Sequence, residues 1–195
     1  MSLADVFIKR SNQNISELTD DELMSLIGSG DKFAFQVIYE KYKARIFHFC
    51  LRTLNDREAA KDVLQEVFIR VFKKNESYKK GTSFPGWLHS IARNLCLNVI
   101  RDRKITVEFD EFNFGYNALD TSEQDVLLSE ILNKEIQRLP DIYREAIILF
   151  EYEGYSYPQI CELINVPLST VRFRIFKARE ILRGKLASLF KFPEE

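Results

Sequence analysis

The stretch Gly154–Arg179, GYSYPQICELINVPLSTVRFRIFKAR, leaves the chain few ways to fold. Ser156 with Gln159 three residues on is a capping box, so a helix opens at Tyr157 with Pro158 tolerated in its first turn. Ile160, Leu163 and Ile164 form its apolar stripe. Asn165-Val166-Pro167 ends it, because Asn accepts a left-handed backbone while Pro fixes φ and removes a donor. From Leu168 a second helix sets Val171, Ile175, Ala178 and Leu182 on one face. The opposite arc holds Ser169, Arg172, Phe173, Phe176 and Lys177, with Thr170, Arg174 and Arg179 on its flanks. A helix buried on one side and cationic on the other, behind a tight turn, fits the major groove of duplex DNA. The plainer alternative is a solvated basic face on an ordinary helical hairpin.

A net charge of −1 and a pI near 6.2 look wrong for a nucleic-acid binder until the charges are placed. Between Ser169 and Lys185 six basic residues stand against Glu180 alone. Between Arg70 and Lys104 nine basic residues stand against Glu76 and Asp102. Ile105–Asp125 carries six acidic residues and no basic one. Two cationic blocks separated by an acidic connector imply two anionic contacts.

The rest of the chain also reads as helical. Thr19 and Glu22 form a capping box for a short helix that Gly28 and Gly30 end, and Asp31 caps a long helix reaching Leu54. On that helix Phe35, Ile38, Tyr42, Ile46 and Phe49 are expected inward. A third helix runs from Asn55-Asp56 to Lys74 with Val63, Leu64, Val67, Val71 and Phe72 as its apolar face. Asn75–Pro85 reads as a loop and Gly86–Asp102 as a fourth helix with Leu88, Ile91, Ala92, Leu95 and Val99 in register. The connector Ile105–Thr121 has no helical period and reads as extended or poorly ordered. A helix from Ser122, a reset at Leu139-Pro140 and a helix Asp141–Tyr152 lead into the helix-turn-helix. The expectation is an all-α protein of two small helical domains: an arm over 1–18, a bundle over 19–104, a linker over 105–121, a second domain over 122–191 and a tail over 192–195.

Cys50, Cys96 and Cys161 are isolated from one another in sequence and lie in apolar helical patterns, so they read as reduced buried thiols. His48 and His89 have no companion at metal-ligand spacing, and no metal or cofactor is expected. Neither a signal peptide nor a membrane span is legible, which favours a cytoplasmic protein.

Around the loop, Tyr78, Lys79, Lys80, Phe84, Trp87, Arg93 and Asn94 interleave aromatics with cations and amides. Unpaired bases stack on aromatics while cations hold phosphate, so this block suits opened DNA or RNA. The alternative is that Trp87 and Phe84 simply close a hydrophobic core.

The block FQVIYEKYKARIFHFCLRTLNDREAAKDVLQEVFIRVFKK with FPGWLHSIARN resembles region 2 of sigma-70 family transcription initiation factors. LPDIYREAIILFEYEGYSYPQICELINVPLSTVRFRIFKAREILRGKL resembles their region 4, and the short chain with no region 3 looks like the extracytoplasmic-function subfamily. The specific runs are Asp62, Gln65, Glu66 and Phe68; Trp87 to Asn94; and Ser169 to Arg174. Gln159, Phe173 and Phe176 depart from the commoner family residues.

The resemblance implies that Asp62, Gln65 and Glu66 dock on the β′ clamp helices of core RNA polymerase, with the β flap as a further contact. It implies that Asn75–Phe84 captures a flipped base of the −10 strand and that region 4 reads −35 duplex through Ser169, Thr170 and their neighbours. The acidic connector would enter the polymerase's RNA channel, and an anti-sigma protein is compatible with the subfamily. No catalysis is implied. A helix-turn-helix regulator that does not join polymerase is the rival reading, and a nucleic-acid enzyme lacks the clustered carboxylates or paired His it would need.

Overall fold

The computed structural model describes residues 17–73, 77–106 and 123–189, and every regular element among them is helical. The helices are α1 (Asp20–Gly28), α2 (Lys32–Leu54), α3 (Arg57–Lys73), α4 (Phe84–Thr106), α5 (Glu123–Gln137), α6 (Asp141–Ile147), a π-helical turn Ile148–Tyr152, α7 (Tyr157–Ile164) and α8 (Leu168–Leu189). They fall into two compact units: residues up to Cys50 with Arg57–Asn98, and Leu51–Asp56 with Val99 onward. The connector expected over Ile105–Thr121 lies, beyond Thr106, outside the described residues.

The first unit begins at the predicted capping box. The backbone N–H of Thr19 donates to Glu22 at 2.8 Å, and Glu22 N–H returns to Thr19 Oγ1 at 3.4 Å. Gly30 turns the chain at φ +90°, and Asp31 Oδ1 then accepts from the N–H groups of Phe33 and Ala34 to start α2. Ile38, Tyr42, Ile46 and Phe49 are buried on α2 as the periodicity required, whereas Phe35 is half-buried. On α3 the periodicity places Phe72 on the apolar face, and the structure corrects this. Phe68 is the buried ring, edge-on to Tyr39 at 4.8 Å, while Phe72 is 41% exposed. Phe68 follows Val67 within the buried arc, and Phe72 has turned past its edge, where 3.6-residue periodicity tolerates either.

Helix α4 opens at Phe84 rather than Gly86, because Ser83 supplies the start: its carbonyl accepts from Trp87 and its hydroxyl from Gly86. Cys50 and Cys96, distant in sequence, meet inside this unit. The sulfur contact between them and burial push the Cys96 thiol far above its ordinary range, and both side chains are fully buried apolar fillers. Cys161 is only half-buried. His89 is fully buried, with Nδ1 2.9 Å from the carbonyl of Pro85 and its ring 5.3 Å from that of Phe49.

In the second unit α5, α6 and α7 pack on α8. Arg144 of α6 donates to the carbonyl of Gln137, the last residue of α5, at 2.7 Å and pairs with Asp141. Burial lowers the Arg144 pKa, and Asp141 opposes that shift. The helix expected over Asp141–Tyr152 changes character midway. From Ile148 it widens into a π turn, closed by Glu153 N–H donating to Ile148 at 3.1 Å. No helix among the described residues is long and apolar enough to cross a membrane.

Candidate nucleic-acid interfaces

The helix-turn-helix has the geometry its residues dictate. Ser156 N–H and Oγ both lie within 2.9 Å of Gln159 Oε1, which opens α7. Asn165 takes φ +53° and ψ 55°, and its N–H returns to Cys161, so the left-handed residue ends the helix where Pro167 would have clashed. Thr170 and Val171 N–H groups then donate to the Pro167 carbonyl, starting α8. Val171, Ile175, Ala178 and Leu182 are all buried. Ser169, Arg172, Phe173 and Phe176 are exposed, while Thr170, Arg174 and Lys177 are half-buried.

Charge on this arc is partly committed. Lys177 donates to Glu180 at 2.6 Å, and that bond raises its pKa. Arg179 pairs with Glu151 and lies 5.1 Å from the Phe150 ring, with its pKa raised chiefly by the Glu151 bond. Arg179 is therefore held against its own domain. Phe176 is 62% exposed and Phe173 52%, but Phe173 also touches the ring of Tyr143 on α6. Tyr143 was not singled out in the sequence.

The aromatic-basic block of the first unit needs a correction. Phe84 is 2% exposed and Tyr78 8%, and both belong to the packing of the bundle. Their rings, 5.5 Å apart, close a cluster with Tyr42 and Trp87. Rings this size are normally drawn into the core, and here only Trp87 of the three keeps a half-open face. Lys79 and Lys80 are exposed at the loop tip, and Asn94 is exposed seven residues beyond Trp87 on the same side of α4. Arg93 is half-buried.

The loop is held from an unexpected direction. Tyr78 hydroxyl donates to Asp21 of α1, and Gly81 N–H donates to the other oxygen of the same carboxylate at 3.0 Å. Thr82 closes the turn, its hydroxyl donating to the Lys79 carbonyl at 2.6 Å. Gly81 sits at φ +81°, a conformation that strains any residue with a Cβ. Tyr78 donation, then the Gly81 N–H, hold the Asp21 carboxyl below its ordinary pKa, and burial raises that of Tyr78.

On α3, Asp62 and Gln65 are exposed and Glu66, half-buried, is paired with Arg70 at 2.8 Å. Beside them lies a groove of about 750 Å³ lined by Phe35, Tyr39, Leu64, Gln65, Ile69 and Phe72. The polar face and the apolar groove meet at Gln65. Polarity alone had marked only the first.

Comparison with known proteins identifies the family. The Sigma-70 region 2 family matches residues 38–105, and the Sigma-70, region 4 family matches residues 129–182. The RNA polymerase sigma-H factor of Pseudomonas aeruginosa is 34% identical over 190 residues, covering 91% of this chain and 98% of that protein. The ECF RNA polymerase sigma factor SigW of Bacillus subtilis is 34% identical over 176 residues, covering 84% and 94%. The sigma factor RpoE of Bartonella quintana, solved with the anti-sigma factor NepR, has a similar fold at a TM-score of 0.65 and 22% identity, covering 78% of this chain and 96% of that one. The chain belongs to the sigma-70 family of transcription initiation factors, in its extracytoplasmic-function subfamily. It is an initiation factor, not an enzyme.

Proposed function

We propose that this chain directs core RNA polymerase, in the cytoplasm, to promoters whose −35 element is read by α8 and whose −10 strand is captured at the loop Ser77–Ser83 and the first turns of α4. The observation that carries the reading is α8 itself. Its apolar face is fully buried, so its other face, with Ser169, Arg172, Phe173 and Phe176 exposed, is available to a groove. Arg172, Arg174 and Lys177 supply phosphate affinity, and the aromatic rings supply apolar contact with bases. In the first unit Lys79 and Lys80 hold the strand, Trp87 offers the stacking face, and Arg93 and Asn94 continue the path along α4.

Polymerase engages the chain at two places. Asp62, Gln65 and Glu66, with the groove beside Gln65, face the β′ clamp helices. The β flap takes a second apolar groove, of about 580 Å³, between Leu132, Ile136, Ile147 and Leu182 of the other unit. Residues 19–104 serve as region 2, 122–191 as region 4 and 105–121 as the acidic linker between them. An anti-sigma protein, as solved with the Bartonella quintana relative, is a further partner.

The test is transcription by purified core polymerase with and without this chain, on promoters mapped after its overproduction. Transcripts that start only with the chain present support the reading. A chain that binds the same DNA but never enters polymerase would be the helix-turn-helix regulator instead.

A further inference from the structure

We propose that Asp21, on the first helix, is a positioning residue for strand capture: one carboxylate clasps Tyr78 and Gly81 and so fixes the loop from which Lys79 and Lys80 project. The proposal rests on the reading of that loop as the −10 surface, and it assigns a role to α1 that the DNA-facing residues themselves do not. Asp21 is not itself an expected DNA contact, and the loop residue whose side chain it holds, Tyr78, is buried in the bundle.

The geometry is specific. Thr19 and Glu22 already satisfy the N-terminus of α1 through their reciprocal bonds, so Asp21 is not needed as the cap. Instead its two oxygens are divided between two loop residues: Oδ1 accepts the Tyr78 hydroxyl and Oδ2 the Gly81 N–H at 3.0 Å. Tyr78 oxygen also lies 3.0 Å from the Thr82 carbonyl, which ties the clasp to the turn Lys79–Thr82. The Tyr78 ring is buried against Phe84 and Trp87, so the clasp is anchored to the cluster that presents Trp87. A loop held in its binding shape before DNA arrives loses less conformational freedom on capture.

The sign of the electrostatic effect separates positioning from simple charge. Lys80 lies close enough to Asp21 to stabilise its ionised form. Deleting this acid therefore favours phosphate in general, while loosening the loop works against one particular strand. The two effects oppose each other only if Asp21 positions.

The experiment uses the full chain bound to core RNA polymerase. The probes are two single-stranded oligonucleotides: the −10 non-template strand of a promoter mapped with the wild-type chain, and a scrambled strand of the same composition. Asp21→Ala should lower the cognate-to-scrambled affinity ratio roughly five- to tenfold, the scale of losing one ordinary hydrogen bond. Scrambled-strand binding should hold or rise, and affinity for core polymerase and for −35 duplex should stay unchanged. Asp21→Asn and Tyr78→Phe, which each keep part of the clasp, should lie between. They carry the same comparison if Asp21→Ala does not fold. A ratio within about twofold of wild type in all three variants, while Lys79→Ala with Lys80→Ala weakens both strands, overturns the clasp and leaves the loop reading standing. If the lysine changes also have no effect, the loop is not the −10 surface and the clasp falls with it. Equal losses on both strands and on core polymerase would show a structural role only, and would also overturn it.

Discussion

Phe173, on the outward arc of α8, meets the Tyr143 ring edge-on, with centroids 6.5 Å apart and planes inclined at 69°. The ring is thus neither loose in solvent nor buried: about half of it stays open beside a partner that limits its rotamers. A ring steadied in this way can pack on a thymine C5-methyl at one −35 position. Phe173→Ala should relax preference there by roughly 1–3 kcal/mol, the usual cost of one mismatched pair. Tyr143→Ala should give part of the same loss, and the double variant less than the sum, because contacting residues are not additive. Binding to duplexes with uracil in place of each −35 thymine checks it; no loss at any position removes the methyl contact.

Lys177 tests affinity without specificity. It is already bonded to Glu180, so it reaches phosphate only by exchanging that partner. Lys177→Ala should weaken all −35 sequences alike and lower the magnitude of the salt slope by about one. Glu180→Gln should strengthen them. A sequence-dependent effect of Lys177→Ala in a salt titration would instead make it a base reader.

The two faces of α8 should respond oppositely to truncation. Ile175 is 1% exposed, and Ile175→Ala should cost about 2–5 kcal/mol of stability. Phe176→Ala, at 62% exposure, should stay within about 0.5 kcal/mol and change DNA binding instead. Urea denaturation of each variant separates them.

Gln65 and Glu66 carry the polymerase prediction. Replacing both with Ala removes one half-exposed ion pair with Arg70, a change of about 0–1 kcal/mol, and should leave the bundle folded. Retention of core polymerase in a pull-down should drop clearly. Phe72→Ser in the adjoining groove should weaken it further, and wild-type retention by both variants would exclude this face.

Acid should undo the loop clasp in a defined window. The Tyr78 and Gly81 bonds depress the folded pKa of Asp21, so its contribution is full above the unfolded value near ~3.9. That contribution is lost as pH falls through the lower folded value. Wild type should therefore lose stability below about pH 4 more steeply than Asp21→Asn, with a constant difference between about pH 6 and 8. Urea midpoints at matched pH give the comparison.

Where local chemistry decides, the fold could be read directly. The Thr19–Glu22 and Ser156–Gln159 boxes, the Asp31 cap, the Asn165 stop and the buried Val171/Ile175/Ala178/Leu182 face all lie within one or two turns of their causes. What sequence did not show depends on residues far apart along the chain. Tyr78 and Phe84 look like a binding platform until Tyr42 and Trp87 are found packed on them. Asp21 looks like one more acid in a helix's first turn until the loop some sixty residues later returns to it. Cys50 and Cys96 look unrelated for the same reason. Phe72 reads as part of the apolar face yet lies at its open edge, because a wheel fixes an arc only to within a residue and the neighbouring helix chooses the edge.

The π turn at Ile148–Tyr152 holds one residue more than a regular helix of the same rise, as the Glu153-to-Ile148 bond records. Such a turn absorbs its surplus residue locally, so the chain on either side keeps the angular phase of a shorter helix. Losing one residue here would close the turn to ordinary pitch and leave the approach to Gly154 facing as it does. The same loss in the first turns of α8 would swing every later side chain by about 100° and carry Phe176 toward the apolar face. Length and orientation are thus separable just upstream of the helix-turn-helix, and inseparable within α8.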